Sequence, residues 1–128
     1  MTLEDMELEG LAGADAPHLI TEIPGPQAQL VLERDRATTS PSLPRAYPFV
    51  PQRGSGSVVE DVDGNRFLDL NAGIAVTSTG HCHPRVVEAI QEQAARLIHY
   101  SASDFFLPIY SELTQRLDEI APMKGKAR

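Results

Sequence analysis

The sequence predicts an α+β chain: a short helix, a β-hairpin followed by a further strand, and then two longer helices. Two observations carry this prediction. An Asp-Gly pair separates two short apolar runs, which is typical of a hairpin turn. After residue 84, apolar residues recur every three or four positions, which is typical of amphipathic helices. A length of 128 residues suits one small domain or a piece of a larger one.

Residues 1–23 form an acidic arm that we expect to be disordered or loosely docked. Of the 18 acidic residues in the chain, seven lie within residues 1–33, which contain no Lys or Arg. The net charge of −7 therefore resides in this first quarter, because the remaining eleven acidic residues are balanced by eleven basic ones. Scattered Leu among Gly, Ala and Pro offers too little apolar surface to offset the entropy of the chain.

One helix and one extended segment are predicted between the arm and the hairpin. Pro26 suits the first turn of a short helix over residues 26–37. Four prolines, with Ser and Gly, favour a polyproline-like backbone over residues 38–56. We expect this extended segment to pack Tyr47 and Phe49 as it crosses a surface.

Residues 57–70 carry the hairpin signal. Three Val precede Asp63-Gly64, and Phe and Leu follow it, so we predict a hairpin with a two-residue type I′ turn. The segment 71–83 contains no Asp, Glu, Lys or Arg and is predicted to be a strand that enters a glycine turn at Gly80.

Two amphipathic helices are predicted after the glycine turn. Pro84 opens the first, and Pro108 and Pro122 bound the second. The apolar positions that recur at helical spacing are Val86, Val87, Ala89, Ile90, Ala94, Leu97 and Ile98 in the first helix, and Ile109, Leu113, Leu117 and Ile120 in the second.

Composition disfavours several partners and locations. An acidic chain is a poor ligand for nucleic acid phosphates and for an anionic membrane surface. No stretch approaches the ~20 apolar residues that span a bilayer. The start of the chain lacks the positive charge of a secretory signal, and the single Cys82 rules out an internal disulfide framework. We therefore expect a cytoplasmic protein.

His81, Cys82 and His83 are the strongest local candidates for chemistry. Two imidazoles and a thiol are ligands for zinc or copper, but a structural zinc site needs four ligands and no second cluster exists. A turn ahead of the helix, with His83 capping it, explains the same residues, so we predict no metal site. Ser101 and Ser103 are interpreted as helix-terminal capping residues. We predict no catalytic or cofactor-binding residue in this chain.

An ordered series of motifs resembles the class III pyridoxal-phosphate aminotransferases, which include 4-aminobutyrate, ornithine and acetylornithine aminotransferases. The resemblance covers about residues 24–123, and it is the order and spacing of the pieces that make it specific. The matching pieces are Pro24-Gly25-Pro26, Asp61, Asp63-Gly64-Asn65, Leu68-Asp69, Gly73-Ile74-Ala75-Val76, Gly80-His81, His83-Pro84, Val87-Glu88-Ala89-Ile90, His99-Tyr100-Ser101, Asp104-Phe105-Phe106 and Ala121-Pro122.

The resemblance implies the N-terminal segment of the fold-type I α/β fold, with the large domain missing. Residues 24–106 would be that segment, and residues 107–128 would begin the large cofactor-binding domain. The family's phosphate loop, the Asp for the pyridine nitrogen and the Schiff-base Lys have no counterpart, since the only lysines are Lys124 and Lys126. We therefore expect pyridoxal 5'-phosphate in the complete enzyme, but no cofactor and no activity for this chain alone.

The implied reaction moves an amino group from an ω-amino acid, such as 4-aminobutyrate, to a 2-oxo acid in a homodimer. The cofactor is the electron sink of that reaction. By matching position, Ile74 and Phe105 fall where the family lines its substrate pocket, although both would also serve as plain core residues. The alternative function is a non-catalytic interaction module that docks on a full-length aminotransferase subunit.

Overall fold

The predicted order of helices and strands is present, with one segment different. The computed structural model describes Leu11, residues 13–123 and Gly125. The elements are α1 (Pro26–Thr38), β1 (Pro51–Ser55), β2 (Val58–Asp61), β3 (Arg66–Leu68), α2 (Ala72–Ala75), α3 (Pro84–Arg96) and α4 (Pro108–Ile120). The chain divides into two compact units, residues 1–87 and 88–128. The domain limits predicted at 23/24 and 106/107 stay predictions.

A three-stranded antiparallel sheet in the order β1-β2-β3 organises the first unit. All four residues of β2 are buried, including Glu60 at its centre. Arg53 on β1 and Arg66 on β3 each bond one oxygen of the Glu60 carboxylate, at 2.7 and 3.1 Å. The buried charge is thus paired from both neighbouring strands, which offsets its loss of hydration.

The hairpin is confirmed, but the predicted type I′ turn is wrong. A type I′ turn needs positive φ at both central residues. Here Gly64 has φ 85°, whereas Asp63 is not among the residues with positive φ. The Gly64 amide donates to the Asp61 carbonyl at 3.1 Å, and the Asp61 amide donates to the Asn65 carbonyl at 2.9 Å. These bonds close a three-residue loop, Val62 to Gly64, in which only the last residue requires glycine.

The extended segment predicted over residues 38–56 ends in strand β1. This strand was not predicted, because the prolines of the segment favour a polyproline-like backbone. Residues Pro51–Ser55 pair with β2, although the register is interrupted between Pro51 and Arg53. Proline is compatible with an edge strand because its missing N–H leaves no interior bond unmade. Phe49 packs edge-on against Phe67 with ring centroids 4.9 Å apart, as expected. Tyr47 is 79% exposed, so its expected packing is wrong.

Part of the predicted disordered arm is joined to the hairpin. His18 forms an antiparallel bridge with Arg66, with backbone bonds of 2.9 and 2.8 Å. The side chain of Asn65 is fully buried and accepts from the amides of Ile20 and Thr21 at 2.8 and 2.9 Å. Residues 18–21 are therefore joined to the hairpin by the backbone pairing of His18 and by the side chain of Asn65. Residues 1–10 and 12 of the arm lie outside the described part of the chain.

The N-terminus of α1 is capped by the hairpin loop. Gly25, at the N-cap position, has no side chain to offer, and Pro26 follows it as predicted. The two carboxylate oxygens of Asp63 accept from the amides of Gln27 and Ala28 at 2.8 and 2.9 Å. A Cβ on Gly25 would lie 2.5 Å from Cγ of Asp63, so glycine is required by close approach. The cap therefore comes from a residue more than thirty positions downstream.

Residues 72–75 are a left-handed turn, and the strand predicted over this segment is wrong. The backbone φ angles of Ala72, Gly73, Ile74 and Ala75 are 52, 59, 65 and 60°. Left-handed helical backbone costs roughly 1–2 kcal/mol for each residue that carries a Cβ. The uncharged, partly β-branched sequence suits a strand. However, the side chains of Asp69 and Asn71 accept hydrogen bonds from backbone amides of this segment.

Helices α3 and α4 begin at the predicted prolines and expose most of their apolar residues, but α3 ends at Arg96, before the predicted helical positions Leu97 and Ile98. In α3 and α4, Val86, Ile90, Ile109, Leu113, Leu117 and Ile120 are all more than a third exposed. The His83 carbonyl accepts from the amides of Val86 and Val87 at the start of α3, but its buried Nδ1 has no partner within the described residues. Among those residues, no helix is long and apolar enough to span a bilayer.

Candidate functional site

A cleft of about 800 Å³ lies beside the sheet in the first unit. One wall is apolar and comes from the segment before β1 and from β2 and β3. The other comes from the residues that follow β3 and includes the carboxylate of Asp69 and the imidazole of His81. The lining residues are Ile23, Tyr47, Pro48, Phe49, Pro51, Val59, Phe67, Leu68, Asp69, Leu70, Asn71, Gly73, Ile74 and His81.

Asp69 and His81 form the polar centre of this cleft. Oδ2 of Asp69 lies 2.6 Å from Nε2 of His81, and the two side chains are 12% and 23% exposed. Because an ionised carboxylate only accepts, Nε2 carries the proton of this hydrogen bond. Asp69 also accepts from the backbone amides of Asn71 and Gly73 at 3.0 and 2.9 Å.

These hydrogen bonds stabilise the ionised form of Asp69. The bond with His81 is the largest influence, followed by the amide of Asn71. Together with the Gly73 amide they hold the pKa of the Asp69 carboxyl below its ordinary value of 3.8, although partial burial acts in the opposite direction. The carboxylate is therefore charged at neutral pH.

The backbone of His81 is fixed to the turn between β1 and β2. Gly56 and His81 exchange two backbone hydrogen bonds of 3.0 and 2.8 Å. A Cβ on Gly54 would lie 3.0 Å from Cβ of His81, so this approach leaves no room for a side chain. A Cβ on Gly80, which has φ 88°, would likewise lie 3.0 Å from Cα of Gly56. The imidazole is thus presented to Asp69 from a rigid support.

Ile74 lies on the left-handed turn and contributes to the cleft wall. Its amide donates to Oδ1 of Asn71 at 3.3 Å. Its side chain is 82% exposed, which a residue that serves only as core would not be. The structure therefore places one of the two predicted site residues in a cleft.

Phe105 lies in the second unit, apart in sequence from this cleft. Its ring packs edge-on against Tyr100, with centroids 4.6 Å apart, and it is half exposed. A second cleft, of about 490 Å³, is lined by the end of α3, the start of α4 and residues between them, including Tyr100 but not Phe105. The predicted pocket role of Phe105 therefore stays a prediction.

The other local candidates are accounted for by hydrogen bonds or by exposure. In the part of the chain that the structure describes, no group of three or more His, Cys, Asp or Glu side chains could hold a metal ion. Cys82 is exposed with φ 52°, and His81 is engaged with Asp69. Ser101 bonds Asp104 and Ser103 within a turn at 2.6 and 2.9 Å, so the predicted helix-capping role is wrong.

The cleft residues do not fit pyridoxal phosphate. A Schiff base needs a lysine amine, and both lysines of the chain, Lys124 and Lys126, fall outside the described residues. A phosphate needs clustered backbone amides or cations, whereas the amides of Asn71 and Gly73 already bond Asp69. We derive no reaction step through the cofactor from this part of the chain.

Sequence reasoning missed the pairing of Asp69 with His81. The two residues are twelve positions apart, and they meet because of the turn and the bridge between Gly56 and His81. In the sequence Asp69 lies between two leucines and stands out only as part of the Leu68-Asp69 motif. No local signal identifies the pair.

The comparisons with known proteins agree on one family. The pattern of the family Aminotransferase class-III matches residues 40–127. A 4-aminobutyrate aminotransferase of Mycobacterium tuberculosis is 40% identical over 110 residues, 86% of this chain and 24% of the relative. An alanine/serine racemase of Pyrococcus horikoshii is 36% identical over 110 residues, 85% of this chain and 23% of the relative.

Solved structures show the same fold. The acetylornithine aminotransferase of Elizabethkingia anophelis superposes with a TM-score of 0.66 and 27% identity, over 76% of this chain and 25% of that one. The predicted fold class, a segment of the fold-type I transferase fold, is thereby confirmed. The chain spans about a quarter of the length of the relatives that it matches.

Proposed function

Because this chain belongs to the class-III aminotransferase family, we propose that it supplies the N-terminal segment of a transaminase and builds one wall of its substrate pocket. The amino donor would be an ω-amino acid of the 4-aminobutyrate type, and the acceptor a 2-oxo acid. This proposal rests on the 40% identity to 4-aminobutyrate aminotransferases of mycobacteria.

The position of Ile74 is the observation that carries the pocket. An exposed branched aliphatic side chain at the rim of a largely apolar cleft can contact the methylene chain of an ω-amino acid. The polar centre formed by Asp69 and His81 lies on the same wall. The contact would select for chain length, since one methylene in an apolar pocket is worth ~1–3 kcal/mol.

The cofactor and the partners follow from the family. Class-III aminotransferases use pyridoxal phosphate, and the complete enzyme would bind it through residues other than those described in this chain. We further propose a cytoplasmic homodimer. The 128-residue chain alone would be inactive, because the described residues form no cofactor site.

A chimera tests the proposed reaction. This chain would replace the matching segment of the Mycobacterium tuberculosis 4-aminobutyrate aminotransferase. We expect the purified chimera to transaminate 4-aminobutyrate with a 2-oxo acid acceptor. Racemisation of alanine or serine, read by chiral chromatography, would instead favour the chemistry named for the Pyrococcus relative. A folded chimera without either activity would contradict the proposal.

Substitution of Ile74 tests the pocket. In the active chimera, Ile74→Gln should change the ratio of kcat/KM between short and long ω-amino acids by ~10–200-fold. Val76→Gln is the matched control, because Val76 is 80% exposed, lies two residues further on and is not a lining residue of the cleft. Equal losses for every substrate, with a lower melting temperature, would leave Ile74 a packing residue.

A further inference from the structure

The left-handed turn at residues 72–75 presents Ile74, yet it is unfavourable for the residues that form it. Three of its four residues carry a Cβ and still have φ between 52 and 65°. Such a backbone persists only when surrounding bonds determine it. The groups that accept hydrogen bonds from this turn therefore determine the position of Ile74.

Backbone bonds run from the Ala75 amide to the Asn71 carbonyl and from the Val76 and Thr77 amides to the Ala72 carbonyl, and two further bonds of the turn go to one carboxylate. Asp69 accepts from the amides of Asn71 and Gly73, one bond to each oxygen. Asn71 in turn accepts from the amide of Ile74 through its side chain. These three bonds lead from Asp69 to the residue that lines the cleft.

The carboxylate is itself held by the sheet. Its Oδ2 pairs with His81 at 2.6 Å, and both backbone bonds of His81 go to Gly56 between β1 and β2. Asp69 also donates its own amide to the Ser57 carbonyl at 2.8 Å. The pair is thus fixed to the sheet on one side and to the turn on the other.

We propose that the Asp69–His81 pair is a positioning device that sets the backbone of the 72–75 turn, and through it the place of Ile74 in the cleft. Neither residue is assigned a catalytic step. The inference rests on the proposed pocket role of Ile74. It makes Asp69 and His81 determinants of substrate selection that need not touch the substrate.

The test uses Asp69→Asn and His81→Asn in the chimera holoenzyme. The first variant removes the charge, and the second is too short to reach Oδ2. Asp35→Asn is the matched control. Asp35 lies on α1, forms an ion pair with Arg45 and does not line the cleft. The first readout is amide hydrogen exchange at Gly73 and Ile74. We expect it to be about tenfold faster in both variants and unchanged in the control.

The second readout is substrate discrimination. Both variants should shift the ratio of kcat/KM between short and long ω-amino acids in the same direction as Ile74→Gln. The double variant should add little to either single one, because the two residues act as a unit. Unchanged discrimination in folded, active variants would overturn the proposal, and so would unchanged exchange at Gly73 and Ile74. Failure of both variants to fold would also overturn it, because the pair would then serve general stability.

The two readouts separate this inference from the proposed function. An inactive parent chimera would refute the proposed transaminase function, whereas the exchange measurement would still decide whether the pair sets the turn. If the parent chimera is active but Ile74→Gln leaves the ratio of kcat/KM between short and long ω-amino acids unchanged, the pocket role of Ile74 is refuted. The proposed effect of the Asp69–His81 pair on substrate selection is then refuted with it.

Discussion

Asp69 illustrates how much one side chain can organise when its carboxylate accepts three hydrogen bonds. Its carboxylate bonds two amides of the following turn and the imidazole of His81. Charge-assisted hydrogen bonds of this kind are stronger than neutral ones, and they favour the ionised acid. The turn is therefore linked to the protonation state of this residue.

Acid should loosen the turn. Asp69 has a pKa below 3.8 when folded and would return to about its ordinary value when unfolded. Its contribution to stability is then fully present above that ordinary value and is lost as the pH falls through the lower, folded pKa. A carbon-13 NMR titration of the Asp69 carboxyl in the chimera should give a midpoint below that of a short peptide with the sequence of residues 67–71.

A variant of His81 tests which group lowers the pKa of Asp69. His81→Asn should move the titration midpoint of Asp69 toward that of the peptide, because the His81 bond is the largest influence on this pKa. A protein midpoint equal to that of the peptide would mean that the hydrogen bonds do not form in solution.

At the scale of elements, local patterns located the helices and the hairpin, and failed at two turns. Pro26, Pro84 and Pro108 open helices as predicted, because the fixed φ of proline suits a first turn in any context. The type I′ turn failed because the Asp-Gly pair also fits a three-residue loop whose last residue is glycine. The strand predicted from residue 71 failed because Asp69 bonds the amides that a strand would pair elsewhere.

The cap on α1 gives a prediction at this scale. Asp63→Ala removes both acceptors of the Gln27 and Ala28 amides and should destabilise the helix by ~0.5–2 kcal/mol. Asp63→Asn keeps one acceptor oxygen and should lose less. Urea unfolding of the chimera, with amide exchange at residues 27 and 28, measures both effects.

A matched substitution in the same helix controls for general charge effects. Glu33 is exposed on α1 and makes no hydrogen bond to the α1 N-terminus, so Glu33→Ala should change stability by less than ~0.5 kcal/mol. Equal losses for Asp63→Ala and Glu33→Ala would show that the hairpin loop does not cap the helix.

At the scale of the whole molecule, few apolar side chains are covered. Among the described residues, the buried hydrophobic side chains are Leu11, Ala28, Val58 and Val59. The apolar stripes of α3 and α4, which the sequence located correctly, remain largely exposed. Periodicity identifies a face that needs a partner, but not the partner itself.

The isolated 128-residue chain should therefore lack a cooperative melt. Exposed apolar faces on two helices favour dye binding and association over a single packed state. Calorimetry should show a broad transition, and a hydrophobic dye should gain fluorescence at neutral pH. Sharp two-state unfolding of a monomer would contradict this expectation and favour the free-standing docking module.

The joining of residues 18–28 to the hairpin loop has a consequence for the order of events during synthesis. The amides of Ile20 and Thr21 bond Asn65, which is added 45 and 44 residues later. At ~5–20 residues per second, these amides wait on the order of 2–9 s for their partner on the ribosome. Helix α1 likewise has no cap until Asp63 has emerged. A pause in translation before residue 63 would leave residues 18–28 without their hairpin partners and exposed to proteases and to other nascent chains.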